Sequence, residues 1–547
     1  MLPNDLQQAM QALLQSFQHL HRLSGSADAE RSVDWLCAQL RTHQIPFKRE
    51  RCRLWLSDPL EGSLIVQGSV PLTIPAKTRS FSAHCPEGIE AELYYDQRSL
   101  VFVPEFEYES WANAVRGKLV VADQGYEDYV QRLMQAGAAG LIHIWGSVEP
   151  ALHEETVGPI WGTPVPDDVL RYPALPVISI NHQEGKTLLQ HMLHSPLQAC
   201  IFTRLHEHVA ECSLPIVELT GESEEFVLLS SHYDSWHEGV TDNATGNALC
   251  LAMALHFAHN SGPLKRGLRI AFWPGHSNAR YGGSTWYADN YRAELMQHCV
   301  AHINVDSPGC VGGSEVVVNA SGAESTFWLN QAITSVTGTT ASRITPMGKG
   351  GDQSFWGLGI PLHFALREEP ALRTSLSPGS GGGWWWHTEE DTLDKVDEAH
   401  LWRDVQIHQR WLETLLLSDT LPVDPTSYVC ALRGALVQLQ SELDPMFSVK
   451  PIDQMLQALE KALLLEHQPS DLKRVIGILH RVRYRASDDY HPDLSYHGDA
   501  FPGLQILRGH RSEQCSERFW LMLETQFIRQ RDRACELFAA SLDILKR

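Results

Sequence analysis

His232, Asp234 and Asp242 stand within eleven positions of one another in FVLLSSHYDSWHEGVTDNA (226–244). One imidazole and two carboxylates in so short a span suit a borderline divalent ion such as zinc. The apolar run 226–229, closed by Ser230-Ser231, reads as a buried strand. The carboxyl ends of such strands are where open α/β sheets bind ligands. Three more segments bring candidates: Asp306 ends INVD, His276 lies in FWPGHSNARYGGS after another apolar run, and His387 lies in GGGWWWHTEEDTLDKVD. These groups are distant in sequence, but strand ends in a parallel sheet converge on one edge.

Each residue alone has an ordinary explanation. With 27 histidines in the chain, a lone His carries little information. Asp242 is placed to cap a helix beginning at Ala244. Asp306 can simply end a strand, and Asp391 and Asp394 can open the last helix of the α/β segment. It is the joint placement at strand ends that favours a site.

The elements that position these residues read as follows. Residues 5–43 carry two helices broken at Leu23-Ser24-Gly25-Ser26, with Ser26 or Asp28 available as a cap. Strands are expected at 46–56 and 61–67. From about 76 to 208, runs such as KLVVAD, GLIHIWG and LPVISI alternate with turn signals around one helix, 126–138, which reads as a β-rich insert. From 215 to 418 strands (225–232, 268–273, 299–305, 314–319, 361–366) alternate with helices (244–259, 284–297, 322–337, 396–417). That pattern predicts an α/β fold with a mainly parallel sheet covered by helices on both faces. Residues beyond 420 read as helices at 427–442, 452–466, 470–485 and 513–545, with no catalytic cluster. The expected domains are therefore 1–75 with 209–420, the insert 76–208, and a helical unit 421–547.

Composition excludes some classes. The chain has 547 residues, 44 Lys plus Arg against 66 Asp plus Glu, and a formal net charge of −22. Such an excess of acid argues against nucleic acid or an anionic membrane as partner. No apolar stretch approaches the ~20 residues of a membrane span, and the first twenty residues read as an amphipathic helix rather than a signal peptide. The eleven cysteines are odd in number and widely spaced, with no CxxC. Neither a zinc ribbon nor a disulfide framework is expected, and a reducing cytoplasm is.

Several stretches resemble one family, the zinc aminopeptidases that include glutamate carboxypeptidase and, as a non-catalytic relative, the transferrin receptor. They are HRLSGS (21–26), SSHYDSWHEGVTDNATG (230–246), GGSTWYAD (282–289), INVDSPG (303–309), GGDQSFWGLGIP (350–361) and HTEEDTLDKVD (387–397). VRGKLVVADQG and AGAAGLIHI make the insert resemble a protease-associated domain. The resemblance covers about residues 15–418. It implies that His232, Asp242 and Asp306 hold one zinc, and that Asp242 bridges to a second ion also held by His387. It also implies that Asp234 orients His232 from behind, that Asp352 is a further supporting carboxylate, and that the C-terminal helices stand where the family has a dimerisation domain, so a homodimer is expected there.

The chain departs from the family at one place. The family carries two consecutive glutamates after the strand equivalent to 268–273, one the general base and one a metal ligand. This chain has Gly275-His276-Ser277-Asn278-Ala279-Arg280, and no glutamate between Glu238 and Glu294. Three readings stand. His276 replaces the missing ligand, or it is the base, or the second metal and catalysis are lost. Arg280 and Tyr281 are candidates for a substrate carboxylate or oxyanion, against a salt bridge and a packing role. Gly381 to Gly383 allow a tightly turned loop, and Trp384, Trp385 and Trp386 are candidates to wall an apolar pocket. Glu368, Glu369, Glu389 and Glu390 are the acids available nearby for a substrate ammonium.

The expectation is a cytoplasmic metallohydrolase holding one or two zinc ions and cleaving an amide bond in a small peptide or peptide-like substrate. His276 and Asp234 are its expected catalytic residues, and His232, Asp242, Asp306, His387 and His276 its expected metal ligands. The competing expectations are a catalytically silent scaffold, and a non-peptide amidase or acyl transferase on the same fold.

Overall fold

The computed structural model describes residues 3–546 apart from 69–70, 99–104, 160–161, 349, 351, 353, 372–382 and 491–497. Thirteen strands are present among them: β1 (Phe47–Val66), β2 (Leu72–Thr78), β3 (Cys85–Tyr95), β4 (Leu119–Ala122), β5 (Gly140–Ile144), β6 (Val177–Ile180), β7 (Gln198–Leu219), β8 (Phe226–His232), β9 (Gly267–Trp273), β10 (Cys299–Asn304), β11 (Glu315–Ala320), β12 (Arg343–Pro346) and β13 (Leu362–Glu369).

The α/β layer runs β1-β7-β9-β8-β10-β13-β11-β12. Its centre, β9-β8-β10-β13, is parallel. The strands flanking that centre join it antiparallel, β7 on β9 and β11 on β13. Every residue of β8 is buried, as in a central strand whose two faces are both covered. Helices Pro3–Phe17, Ala27–Thr42, Thr245–His259, Thr326–Thr337 and Glu398–Leu417 pack one face, through Leu13, Phe17, Leu36, Met253, Leu329 and Trp411. Leu54, Trp273, Tyr287, Leu295 and Phe355 fill the other. Ser26 caps the second helix by accepting a hydrogen bond from the Ala29 amide.

Three sequence expectations change here. The strands placed at 46–56 and 61–67 are one twenty-residue strand, β1, paired along its length with β7 and shifted in register only between Pro59 and Glu61. Pro59 mimics a loop, but a bulge beside it absorbs the irregularity. The insert also carries helices Glu105–Val115, Glu127–Ala136 and His182–Met192, where one helix was expected. Its strands β3-β4-β5-β6 are parallel, and β2 and β3 return to the β1/β7 ribbon, so the pairings close on themselves. The helix expected at 284–297 is two helices, Gly282–Asn290 and Arg292–His298.

The C-terminal helices, chiefly Pro425–Glu442, Lys450–Ala462, Pro469–Tyr484 and Glu517–Leu545, build a core of their own around Leu432, Leu456, Leu479 and Phe527. No described helix is long and apolar enough to cross a membrane.

Candidate metal centre

His232 is the last residue of β8, and the chain then turns through 233–241 before the buried helix that starts at Thr245. The His232 Nδ1 faces the Asp234 main-chain carbonyl at 2.9 Å. A carbonyl oxygen only accepts, so Nδ1 carries the proton. Nε2 is left facing Asp242 Oδ1 at 3.1 Å and Asp306 Oδ1 at 3.6 Å. His387 repeats this arrangement: Nδ1 donates to the Glu154 carbonyl at 2.9 Å, and Nε2 faces Asp242 Oδ2 at 3.2 Å. Asp242 thus lies between two imidazoles, with one oxygen toward each.

A lone-pair nitrogen against a carboxylate oxygen repels unless a proton or a metal cation lies between them. His232 Nε2 and Asp242 Oδ1 are buried and have no hydrogen-bond partner. Carbonyl-anchored imidazoles presenting Nε2 to buried carboxylates are a donor set that fits zinc. Burial disfavours the Asp242 anion, but the His232 and His387 rings outweigh it and hold the carboxyl well below its usual range. Burial likewise disfavours the charged His232, yet Asp234, Asp242 and Asp306 raise it well above the usual histidine value. Arg367 lies 3.4 Å from the second oxygen of Asp306.

His276 joins the same group, its ligand nitrogen lying within 4.8 Å of those of His232 and Asp306. Its ring stacks on His232 with centroids 3.6 Å apart and planes 8° from parallel. His276 Nδ1 faces Asp352 Oδ2 at 2.8 Å, which leaves Nε2 for a metal or a proton. Asp352 is itself held by the Ser284 hydroxyl. All five predicted ligands therefore reach one sheet edge, and Asp352 supports His276.

Asp234 has a different task from the one expected. The atom that orients His232 is its main-chain carbonyl; its carboxylate stands 3.7 Å from His232 Nδ1. That carboxylate accepts hydrogen bonds from the amides of His276 and Ser277 at 3.2 and 3.0 Å, tying the variant loop to the β8 loop. Asp391 does not start a helix; Asp397 caps it. Asp391 is buried and accepts from the Thr241 amide, the Thr241 hydroxyl and the Asp242 amide, fixing the main chain at the bridging residue. Burial pushes its carboxyl up to about 6.

Other expectations resolve as well. Arg280 is partly buried, and its guanidinium pairs with Glu127 and Glu155 of the insert. Glu368 pairs with Arg403, Glu369 with Arg343, and Glu389 is exposed on the Lys77 side. Trp386 stacks on His387 at 3.4 Å, and Trp385 donates to Thr241 Oγ1. Gly381 and Gly382 lie outside the described residues. Sequence reasoning missed Arg22, whose guanidinium donates to the carbonyls of Phe17, Tyr233, Glu238 and Gly239. It also missed Glu154. Arg22 was visible only as part of HRLSGS, and Glu154 had no motif.

A β8 terminus, two loops and a strand end converging on histidine and carboxylate groups define an α/β protein with a candidate metal centre at its sheet edge. Residues 216–410 match the family model described as Peptidase family M28. The chain is 25% identical over 292 residues to "Carboxypeptidase Q" of Rattus norvegicus, spanning 51% of this chain and 60% of that protein. It is 26% identical over 116 residues to "Aminopeptidase NAALADL1" of Mus musculus, 20% of this chain and 15% of that one. The matched stretches thus span less than two thirds of these relatives' own lengths. Among solved structures, the zinc aminopeptidase BSAP of Bacillus subtilis shares the fold with a TM-score of 0.57 at 18% identity, covering 76% of this chain and 95% of that one. The aminopeptidase of Aneurinibacillus sp. strain AM-1 does so with a TM-score of 0.57 at 17% identity, covering 75% and 94%.

Proposed function

We propose that this chain is a zinc-dependent hydrolase that cleaves an amide bond in small peptides or peptide-like molecules, with His276 working where the related enzymes use a glutamate pair. The observation that carries this reading is Asp242 held between the Nε2 atoms of two carbonyl-anchored histidines. His232, Asp242 and Asp306 would hold one ion, and Asp242 with His387 a second. Zinc, when bound, supplies a Lewis acid for the scissile carbonyl and for water.

The protein's own residues do the rest. Asp352 keeps the Nδ1 proton of His276 in place, so Nε2 serves as ligand or as proton acceptor. Asp234 holds the loop that carries that ring. The insert and the helical unit restrict access, so steady-state rates should fall sharply as peptide length increases. All eleven cysteines are free, which fits a reducing compartment such as the cytoplasm. A homodimer through the C-terminal helices belongs to the same reading.

The test is zinc per chain, by elemental analysis, in wild type and His276→Ala, together with hydrolysis of short peptides. Two ions falling to one makes His276 a ligand of a two-metal hydrolase. One ion in both, with activity lost in the variant, makes His276 the base. No zinc after reloading, or zinc without hydrolysis, rejects the reading in favour of a silent scaffold or of amide chemistry on other substrates.

A further inference from the structure

The geometry points to a positioning strap: insert residues Glu154, Glu155 and Gly162, with Glu127, set the spacing between the His276 loop and His387. It rests on the proposed metal centre for its purpose, but the contacts stand by themselves.

On the His387 side the contact is reciprocal. The Glu154 amide donates to the His387 carbonyl at 2.9 Å, and His387 Nδ1 donates to the Glu154 carbonyl at 2.9 Å. The Glu154 side chain anchors this pair to its own domain and to the β8 loop, with Oε1 at 2.8 Å from Lys77 and 3.5 Å from His237 Nε2. His387 has φ 61°, a left-handed conformation that a bulky residue keeps only when its surroundings hold it.

On the His276 side the next insert residue takes over. Glu155 Oε1 lies 3.4 Å from Arg280 Nη1, and both Glu127 oxygens lie 3.1–3.2 Å from Arg280 Nη2. Arg280 and Tyr281 have φ 44° and 67°, two consecutive side-chain-bearing residues in the left-handed region. Tyr281 closes the turn by donating its amide to the His276 carbonyl, and its ring meets the His276 ring edge-on at 5.0 Å. Gly162 packs main chain against this turn: a Cβ there would lie 2.1 Å from the Ala279 carbonyl oxygen and 2.6 Å from that of Arg280. One stretch of the insert therefore grips both halves of the site, and Arg280 is a positioning residue for His276. This is the loop in which the chain lacks the family's glutamates. A ligand or base carried on a strained turn needs such support, and losing the partners that orient a metal ligand typically weakens metal binding 10–100-fold.

The experiment uses the full chain with Gly162→Ala, Arg280→Gln, Arg280→Lys and the isosteric Glu127→Gln. Amide hydrogen exchange of the zinc-free protein is read by mass spectrometry over 274–283 and 384–392, and zinc affinity by competition with a chelator. Gly162→Ala and Arg280→Gln should speed exchange at least tenfold in both segments, leave 425–484 unchanged, and lower zinc affinity about 10–100-fold. Arg280→Lys should recover part of both effects. If Gly162→Ala does not fold, Glu127→Gln carries the test with a several-fold rise in both segments. Faster exchange confined to 274–283, or absent from both, overturns the strap. Wild type that binds no zinc rejects the metal centre instead, and the exchange data still decide the strap.

Discussion

The insert and the C-terminal helices are both appended to the same α/β core, and both meet it through largely buried polar groups, but the clusters at Arg280 and at His480 differ in charge. The insert seam is ionic: Arg280 between Glu127 and Glu155, and Lys77 on Glu154. At His480 the helical seam is neutral, while elsewhere along it Lys473 pairs with Glu225 and Arg485 donates to the Trp356 carbonyl. His480 Nε2 donates to the Pro361 carbonyl, so its Nδ1 accepts from the Tyr428 hydroxyl, each at 2.8 Å. Burial lowers His480 to about 4 and raises nearby Glu324 to about 7. Buried ion pairs demand a definite geometry and lose several kcal/mol when one partner goes, which suits a seam that holds the loops of the candidate metal centre in register. The neutral cluster at His480 holds by packing and single hydrogen bonds, which suits an attachment remote from the candidate metal centre. It also makes that attachment sensitive to pH.

The largest effect that sharpens this contrast is at the bridging carboxylate. Asp242→Asn keeps the shape but removes the charge that both imidazoles face. Zinc should be lost, and peptide hydrolysis should fall at least about a thousandfold, equivalent to ~4 kcal/mol of barrier. Elemental analysis and steady-state rates check it, with thermal unfolding of the zinc-free protein as control. Retained zinc and activity would remove Asp242 from the centre and leave the ionic seam with nothing to position.

The next effect tests the neutral seam. Glu324 titrates near 7 in the fold against an ordinary 4.5, so the folded protein binds that proton more tightly than the unfolded chain. Its contribution is complete below about pH 4.5 and is lost as pH rises through 7, on the order of 3 kcal/mol over that window. His480 acts in the opposite sense, since its neutral form is favoured. Its contribution is present above its ordinary 6.5 and is lost as pH falls through about 4. Glu324→Gln should therefore steepen the rise of stability between pH 4.5 and 6.5, by unmasking His480. Urea unfolding across that range measures it. An unchanged slope would show that Glu324 is ionised in the fold and that this seam, too, is ionic.

Much of the core and most of the site residues were legible in the sequence, because both rest on local signals. An apolar run such as 226–229, closed by Ser230-Ser231, reads as a buried strand, and strand ends in a parallel sheet converge on one edge. His232, Asp242, Asp306 and His387 could be found on that ground and on their motifs. What stayed hidden depends on contacts between remote segments. Glu154 meets His387 through main-chain atoms, which leave no trace in residue type. Asp391 resembled a cap because carboxylates at turns usually are caps; only the approach of Thr241 shows what it holds. The sequence of β1 predicts two strands, 46–56 and 61–67, because Pro59 between them is a loop residue unless a partner strand accommodates a bulge.

The smallest effect breaks or confirms the separation of the seams. Tyr428→Phe removes the hydroxyl that donates to His480 Nδ1 and leaves a buried acceptor without a partner. Such a loss costs about 1–2 kcal/mol. The variant should unfold at lower urea with an unchanged dependence on denaturant, because the surface exposed on unfolding stays the same. Tyr428 sits on a helix of the C-terminal unit, and its polar partner is the neutral imidazole of His480, so zinc affinity should stay within twofold of wild type. A parallel loss of zinc affinity would mean that movement at His480 passes through Pro361 and β13, which carries the Arg367 that pairs with Asp306. The helical unit would then be as much a support of the centre as the insert, and the difference in charge between the two seams would not mark a difference in role.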